Sequence, residues 1–280
     1  MFLVMLPGTT NFYSTIMNLK LDDKLALVSG SSAGIGLAIA TALAAEGARV
    51  VVNGRTQKRV DEAIASIKKR HPTAKLEGFA GDLGQAEETE KIVRQFPEVE
   101  ILVNNLGIFE PKAFDDIPDA DWTRFFEVNF LSGVRLSRGY LSKMKKKNWG
   151  RIIFISSESA VNIPTEMIHY GVTKTMQLAL ARGLAETTVG TGVTVNSVLP
   201  GPTRSEGVEK FVKDLARTQQ KPAEQVEKEF FESMRPSSLI KRFASTDEIA
   251  SLVAYVASPL SSATNGAALR AEGGLLRSIL

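Results

Sequence analysis

The 280-residue sequence contains no cysteine and only two histidines, His71 and His169, which lie far apart in the chain. Without cysteine the protein cannot form disulfides, use a thiolate nucleophile or bind a metal through sulfur. Two distant histidines give none of the spacings typical of a metal site. The sequence therefore predicts no resident metal.

Long apolar runs are also lacking, since no segment approaches the roughly 18 uninterrupted apolar residues of a membrane helix. Residues 1–19 carry no charged side chain. The apolar run at 2–6 is nevertheless too short for the core of a signal peptide, and no basic segment precedes it. We expect a loose N-terminal extension at 1–18, a folded domain at 19–280, a cytoplasmic location and no membrane partner.

Charge of one sign is scarce as well, because the formal net charge is only +3. A nucleic-acid-binding protein would be expected to cluster its basic residues on one face. The single dense basic cluster lies where a helix should end, and there cations complement the helix dipole. A solvated helix end is favoured over a nucleic-acid site, so no nucleic-acid partner is predicted. The cluster comprises Lys143, Lys145, Lys146, Lys147 and Arg151.

Short apolar and β-branched runs alternate with segments of helical periodicity along the whole chain. Continuous apolar strands separated by helices are typical of a parallel sheet covered on both faces. Right-handed crossovers then make the sheet doubly wound. We predict an α/β fold, a single-domain doubly wound (Rossmann) parallel sheet of about seven strands with helices on both faces. The predicted strands are 25–28, 50–52, 76–79, 101–103, 152–155, 193–198 and 267–271.

A glycine-rich loop follows the first predicted strand, with the sequence Ser-Gly-Ser-Ser-Ala-Gly-Ile-Gly at 29–36. It is not a P-loop, because no Lys-Ser/Thr pair follows the glycines. Glycines at these positions permit a tight turn, a close approach of backbone to a pyrophosphate, and packing of helix on strand. Free N–H groups at the start of the next helix would face the phosphates. The loop therefore predicts a dinucleotide site.

The end of the second strand should meet the adenosine ribose of such a dinucleotide. A carboxylate there would select NAD through the 2′-hydroxyl. This chain has Asn-Gly-Arg at 53–55 instead, and Arg55 could bind a 2′-phosphate. We predict a preference for NADP(H), with NAD(H) possible. The alternative is that Arg55 is a surface residue at the start of the second helix.

Tyr170 and Lys174 lie four residues apart in a predicted helix, and Ser157 lies thirteen residues before Tyr170. Residues i and i+4 share one helix face, so an ammonium would lie beside the phenol. A nearby positive charge favours the phenolate. With a hydroxyl donor at the same point, the pair could exchange a proton with a carbonyl oxygen. A Tyr-x-x-x-Lys spacing also arises by chance, and we expect neighbouring His169 to be structural.

Taken together in this order and spacing, these motifs resemble those of the compact, classical-type short-chain dehydrogenase/reductases. The resemblance covers about residue 21 to the C-terminus. Two departures are Leu106, where the family has alanine, and Glu272, where it usually has aspartate. Besides the glycine loop, the matching motifs are Asp82-Leu83, Asn104-Asn105-Leu106-Gly107, Asn129, Ser157, Tyr170 with Lys174, and Pro200-Gly201-Pro202-Thr203.

The resemblance implies hydride transfer between NADPH and a carbonyl carbon, with Tyr170 exchanging the proton and Ser157 polarising the carbonyl. Lys174 would lower the pKa of Tyr170 and bind the nicotinamide ribose, and Asn129 would hold a water near Lys174. A homo-oligomer, dimer or tetramer, is expected through the long helices that contain Asn129 and Tyr170. The implied cofactor-binding residues are Gly30, Ser31, Ser32, Gly34, Ile35, Gly36, Arg55, Asp82, Leu83, Asn105, Gly107, Tyr170, Lys174, Pro200, Gly201 and Thr203.

The substrate is predicted only as a small or medium carbonyl or alcohol compound. Residues 205–235 are a candidate substrate lid, whose Phe211, Phe230, Phe231 and Met234 either line an apolar pocket or dock the helices onto the domain. Glu158 and Glu166 lie near the expected mouth and either favour a polar or cationic substrate or face water. The competing function is a catalytically silent NAD(P)-binding regulator or scaffold of the same fold.

Overall fold

Seven parallel strands form the main sheet of the protein, whose computed structural model describes residues 18–279 apart from the side chain of Phe211. The extension predicted at 1–18 lies, except for Asn18, outside the described residues. Together with a separate pair, the strands of the described residues are β1 (Leu25–Val28), β2 (Arg49–Gly54), β3 (Lys75–Ala80), β4 (Ile101–Asn104), β5 (Gly150–Ile155), β6 (Val193–Pro200), β7 (Thr203–Arg204), β8 (Ala244–Ser245) and β9 (Ala268–Ala271). The main sheet has the order β3-β2-β1-β4-β5-β6-β9, and β7 pairs separately with β8.

Helices connect the strands and cover the sheet. They are α1 (Gly34–Ala45), α2 (Gln57–Arg70), α3 (Ala86–Gln95), α4 (Asp119–Phe125), α5 (Ser132–Lys146), α6 (Ile168–Glu186), α7 (Glu206–Gln219), α8 (Ala223–Glu229) and α9 (Thr246–Ala257). Two π-helical turns occur at Phe126–Leu131 and Phe230–Met234, and 3₁₀ turns at Phe114–Asp116, Glu158–Ala160, Thr165–Met167 and Pro259–Ser261. Among residues 18–279, no helix is long and apolar enough to cross a membrane.

The central strands β1, β4 and β5 are buried on both faces, which explains why they are mainly apolar. The edge strand β3 is largely exposed and contains Lys75 and Glu77. Successive side chains of a strand point to opposite faces. In β1, Ala26 and Val28 contribute to the core shared with α1, α2 and α9. Leu25 and Leu27 contribute to the opposite core, shared with α3, α5 and α6. The predicted doubly wound α/β fold of seven parallel strands is confirmed.

The long helical segment between β4 and β5 is interrupted in its first half. A π-helical turn, Phe126–Leu131, separates α4 from α5, and it carries Asn129. Such turns cannot be recognised from apolar spacing, since they insert only one residue into an otherwise regular helix. A capping box formed by Ser245 and Glu248 begins α9.

The basic cluster at the end of α5 divides into exposed and buried members. Lys143, Lys145 and Lys146 lie in the last turn of α5, as predicted for a solvated helix end. Arg151 was wrongly grouped with them, because it is only 1% exposed. Its guanidinium donates to the carbonyl oxygens of Gly150 (2.8 Å), Gly192 (2.9 Å) and Ser258 (3.3 Å). Arg151 therefore ties β5 to neighbouring loops.

The order of the strands reverses between β1 and β4, because the chain builds outward from β1 first to one side and then to the other. In open α/β sheets, ligands bind beyond the carboxyl ends of the strands at such a switch point. The glycine loop follows β1, Asn105 follows β4, and Ser157 follows β5. The topology thus brings motifs that are distant in sequence to one edge of the sheet.

Candidate active site

A cavity of about 590 Å³ lies at this edge of the sheet. It extends from the glycine loop to the start of α6 and is closed on one side by residues of the predicted lid. The predicted site residues that line it are Gly30, Gly34, Ile35, Gly36, Arg55, Asn105, Gly107, Ser157, Tyr170, Lys174, Pro200, Gly201 and Thr203. The predicted residues that lie outside this lining are Ser31, Ser32, Asp82, Leu83 and Asn129.

The glycine loop needs glycine for two separate reasons. Gly30 and Gly34 have φ angles of 61° and 56°, in the left-handed region that favours glycine. Gly36 has an ordinary backbone conformation, but a Cβ there would lie 2.5 Å from both the carbonyl oxygen of Gly30 and Nδ2 of Asn105. Helix α1 begins at Gly34, and Ala33 before it has only a methyl side chain. Its first N–H groups are therefore left for a ligand in the cavity, as a pyrophosphate requires.

Two asparagines hold this loop in place. Asn53 accepts a hydrogen bond from the N–H of Gly30 (2.9 Å) and donates to the carbonyl of Gly81 (3.0 Å). Asn105 donates through Nδ2 to the carbonyls of Ser29 (3.0 Å) and Gly30 (3.1 Å). The amide of Asn105 thus shapes the cradle. The role of Asn53 was missed in the sequence. The usable signal was an amide at the end of β2, where dinucleotide-binding proteins that select NAD have a carboxylate.

Three of the predicted cofactor-binding residues have contacts within the protein itself. Ser31 is fully buried and donates from Oγ to the carbonyl of Val28 (2.7 Å). Leu83 is fully buried in the core. Asp82 accepts a hydrogen bond from the N–H of Gly84 (3.0 Å). Contact of these residues with a cofactor stays a prediction.

Two arginines line the cavity near the start of α2. Arg55 precedes the helix, and Arg59 lies one turn later, so both reach the same end of the cavity. Thr56 caps the helix by accepting from the N–H of Arg59 (3.4 Å). The contribution of Arg59 was missed, although its spacing of four residues from Arg55 was a usable signal. The arrangement gathers positive charge where a dinucleotide phosphate could bind.

Helix α6 brings Tyr170 and Lys174 to the cavity, as predicted. Nζ of Lys174 lies 5.7 Å from the centroid of the Tyr170 ring and donates to the carbonyl of Ile155 (2.9 Å). A Cβ on Gly107 would lie 3.3 Å from Nζ of Lys174 and 3.6 Å from Oδ1 of Asn129. Glycine at 107 therefore leaves open the space that these two side chains face.

Asn129 lies behind the cavity wall, in the π turn. Its Oδ1 accepts from the N–H of Ile108 (2.7 Å), and its Nδ2 donates to the carbonyl of Ile108 (3.0 Å) and to Oγ1 of Thr173 (3.1 Å). The side chain thus joins the loop after β4 to α6. Its predicted role in holding a water near Lys174 stays a prediction.

The electrostatics at Tyr170 differ from the simple expectation. Burial raises the pKa of Tyr170, a hydrogen bond with Ser157 lowers it, the charge of Glu158 raises it and that of Arg235 lowers it. Burial also lowers the pKa of Lys174 to about 8. Burial therefore dominates at both groups, because desolvation disfavours their charged forms. The predicted lowering of the Tyr170 pKa by Lys174 stays a prediction.

Comparison with known proteins bears directly on this arrangement of loop, serine, tyrosine and lysine. Residues 24–216 match the short chain dehydrogenase family. The chain belongs to the short chain dehydrogenase family.

Relatives of this short chain dehydrogenase are similar over almost their whole length. It is 52% identical to the uncharacterized oxidoreductase YvaG of Bacillus subtilis (strain 168), over 94% of this chain and 100% of the relative. It is 33% identical to D-beta-hydroxybutyrate dehydrogenase of Cupriavidus necator, over 91% and 98%. A solved structure of L-sorbose reductase from Gluconobacter frateurii, complexed with NADPH and L-sorbose, is 28% identical with a TM-score of 0.89, over 94% and 100%. The protein is thus an oxidoreductase.

The two glutamates near the mouth of this short chain dehydrogenase share one arginine, Arg235. Arg235 donates from Nε to Oε1 of Glu158 (3.3 Å) and from Nη1 to Oε1 of Glu166 (3.1 Å). The alternative that these residues face water is wrong for Glu158, which is 4% exposed, whereas the side chain of Glu166 is 31% exposed. The preference for a polar or cationic substrate stays a prediction. Arg235 lies 77 residues from Glu158 in sequence, so no local pattern could have indicated the pairing.

Some apolar residues of the predicted lid line the cavity, and others pack the lid helices onto the domain. Phe230 and Met234 line the cavity. Phe231 is buried with Val212 and Phe243 in a separate small core. Movement of this segment as a lid stays a prediction, and the side chain of Phe211 lies outside what the structure describes.

The other residues discussed from the sequence, His169, Glu272 and Leu106, are packed or hydrogen-bonded within the protein. His169 is fully buried, with its ring 4.0 Å from the Phe125 centroid, and burial lowers its pKa. Glu272 accepts from the N–H groups of Leu275 and Leu276 in the last turn. Leu106 lines the cavity and fits against the glycine loop.

Proposed function

We propose that this oxidoreductase interconverts a carbonyl and an alcohol, prefers NADP(H), and uses Tyr170 as its general acid and base. The observation that carries the proposal is the meeting of Ser157, Tyr170 and Lys174 with the glycine loop in one cavity. A proton-transfer group and a dinucleotide cradle are both needed for this reaction, and a scaffold that only binds a cofactor would need the cradle alone.

The residues present fit a nicotinamide dinucleotide. The glycine loop and the start of α1 would hold the pyrophosphate, and Arg55 with Arg59 would meet a 2′-phosphate. Lys174 would bind the nicotinamide ribose, and Pro200 to Thr203 would lie beside the nicotinamide. When bound, the cofactor supplies or accepts the hydride.

The chain's own groups would handle the proton. Tyr170 would give its phenolic proton to the carbonyl oxygen in reduction and take it back in oxidation. Ser157 would donate a hydrogen bond to the same oxygen and so stabilise negative charge that develops there. Lys174, whose pKa is lowered to about 8, could gain or lose a proton near neutral pH. Positioned acid–base catalysis of this kind contributes about 10²–10⁴-fold.

A direct assay tests the proposed reaction. The protein is mixed with NADPH and, separately, with L-sorbose, ethyl acetoacetate or cyclohexanone, and absorbance of NADPH is followed. We expect turnover with at least one of these carbonyl compounds, at a rate in the range of about 1–10³ s⁻¹. Tight binding of NADPH without any turnover would instead support the catalytically silent regulator.

The preference for NADP(H) is tested at Arg55. We expect Arg55→Asp to weaken NADPH binding about 10- to 100-fold, because a charge-assisted bond to phosphate is replaced by repulsion. Binding of NADH should change by less than about threefold, since NADH lacks the 2′-phosphate. Fluorescence titration of both cofactors measures the two dissociation constants.

Lys58→Asp is the matched control for that change. Lys58 lies in the first turn of α2, three residues after Arg55, but its side chain is 85% exposed and pairs loosely with Glu62 at 4.0 Å. Lys58→Asp makes the same change of two charge units as Arg55→Asp without altering the cavity. Equal losses for NADPH and NADH in Arg55→Asp, or an equal loss of NADPH in Lys58→Asp, would show that Arg55 does not contact the 2′-phosphate.

We also propose a homo-oligomer, dimer or tetramer, formed through the helices that contain Asn129 and Tyr170. A groove of about 560 Å³ on the outer side of α5 and α6 supports this, because Leu141, Leu180 and Leu184 contribute to its lining. A second copy of the chain could bury these side chains. The predicted cytoplasmic location stays a prediction.

A further inference from the structure

A buried cluster of charges connects the helical segment 205–235 to the serine at the site. Arg235 directly follows the π turn Phe230–Met234, and its N–H donates to the carbonyl of Phe230 (3.0 Å). Its guanidinium bonds both Glu158 and Glu166, as described above. Arg235 is 8% exposed and Glu158 is 4% exposed. Because an unpaired buried charge is strongly unfavourable, Arg235 and Glu158 depend on each other.

The second carboxylate oxygen of Glu158 is bound to the site serine. Oε2 of Glu158 accepts from Oγ of Ser157 (2.5 Å) and from Oγ of Ser159 (2.6 Å). Ser157 also accepts a hydrogen bond from the N–H of Ser159 (3.0 Å). A serine hydroxyl has a single proton to donate. In this arrangement it goes to Glu158, so Ser157 must turn away from Glu158 before it can donate to a carbonyl oxygen.

Charged groups reach Tyr170 from three elements. Lys174 lies on the same helix, α6, with Nζ 5.7 Å from the ring centroid. Glu158 comes from the 3₁₀ turn after β5, and its charge raises the pKa of Tyr170. Arg235 comes from the end of segment 205–235, and its charge lowers that pKa. Removal of Glu158 should therefore lower the pKa of Tyr170, and removal of Arg235 should raise it.

We propose that Arg235 is a positioning residue that acts on the reaction through Glu158 and Ser157. When Ser157 turns to a substrate carbonyl, Glu158 keeps the hydrogen bonds from Arg235 and Ser159, so the turn leaves no bare carboxylate. Without Arg235, Glu158 would keep the hydrogen bond that it accepts from Ser157. It would also add uncompensated negative charge beside Tyr170. Correct placement of segment 205–235 is thereby a condition for proton transfer. This inference rests on the proposed oxidoreductase function with Tyr170 as acid and base.

The test compares Arg235→Met, Arg235→Lys and Glu158→Gln with the wild-type protein. Each is assayed with NADPH and whichever of the three carbonyl compounds the wild type reduces. Reduction requires protonated Tyr170, so the rate falls as pH rises through the pKa of that phenol. We expect Arg235→Met to lower kcat about 10- to 100-fold, with KM changed less, because the acid–base groups are misplaced rather than substrate binding lost. Its falling limb should move to higher pH.

The other two variants separate charge from geometry. Glu158→Gln removes a negative charge, so its falling limb should move to lower pH. Arg235→Lys keeps the charge and should return the limb close to the wild-type position. It should restore kcat only in part, because an ammonium lacks the planar fork that joins two carboxylates. Arg217→Met is the matched control, since Arg217 is in the same segment with a side chain 84% exposed. It should leave kcat and the pH profile unchanged.

Unchanged kcat and pH profiles in Arg235→Met and Glu158→Gln would overturn the positioning role and leave the proposed oxidoreductase function intact. Absence of turnover in the wild-type protein, by contrast, would overturn both. Thermal melts accompany each assay. If Arg235→Met does not fold, two other results decide the question: the shift of the falling limb to lower pH in Glu158→Gln, and a kcat of Arg235→Lys below that of the wild type with an unshifted limb. A lack of both would overturn the proposal.

Discussion

Replacing Tyr170 by phenylalanine should lower kcat by about 10²–10⁴-fold while leaving the dissociation constant of NADPH within about threefold of the wild-type value. The change removes only the phenolic hydroxyl. The ring would keep its edge-to-face contact with Phe109, whose centroid lies 6.5 Å away. Lys174 would keep its hydrogen bond to the carbonyl of Ile155. Steady-state kinetics and a fluorescence titration with NADPH measure the two quantities.

Tyr140→Phe is the matched control for the loss of a phenolic hydroxyl. Tyr140 is fully buried in α5, and its hydroxyl donates to the carbonyl of Ile92 at 3.4 Å. Loss of this bond should cost about 1 kcal/mol of stability and leave turnover unchanged. Tyr170→Phe that keeps more than about a tenth of the activity would contradict the acid–base role. An equal loss in Tyr140→Phe would show that the assay reports damage to the fold.

The sheet could be predicted from sequence because its central strands, such as β1, β4 and β5, are buried on both faces. An unbroken apolar run such as 152–155 carries that information locally. The cofactor cradle could be predicted for a related reason. Glycine is required at positions where backbone groups approach closely, and the glycines themselves can be read from the sequence. Tyr170 and Lys174 were placed correctly because helical spacing puts them on one face.

What could not be predicted depends on contacts between distant parts of the chain. Arg235 meets Glu158 only after segment 205–235 has docked, and the two residues are 77 positions apart in the chain with no periodic signal for this pairing. Arg151 appeared to belong to a surface cluster because burial of a guanidinium by carbonyl oxygens leaves no local pattern. The raised pKa of Tyr170 is likewise a consequence of desolvation, which depends on the complete cavity.

Gly36→Ala should weaken NADPH binding by at least about 100-fold, which corresponds to about 2.7 kcal/mol. The new Cβ would lie 2.5 Å from the Gly30 carbonyl oxygen, 2.5 Å from Asn105 Nδ2 and 3.0 Å from Ser31 Cα. Gly30 and Asn105 are hydrogen-bonded to each other at 3.1 Å, so neither can yield without loosening the loop. Overpacking of this kind costs about 1–3 kcal/mol of stability. Titration with NADPH and a thermal melt measure both effects.

Gly183→Ala is the control that separates a packing requirement from glycine content in general. Gly183 lies in α6, where, among the described residues, no atom other than those of its chain neighbours and of the nearby backbone of α6 comes within 4 Å of an added Cβ. Alanine is favoured over glycine in a helix by about 0.8–1 kcal/mol, so this variant should melt at the same or a higher temperature and bind NADPH normally. If Gly36→Ala bound NADPH as tightly as Gly183→Ala does, the close approach at Gly36 could not be what shapes the cradle. The cofactor would then have to be held chiefly by groups outside the loop, such as Arg55 and Lys174.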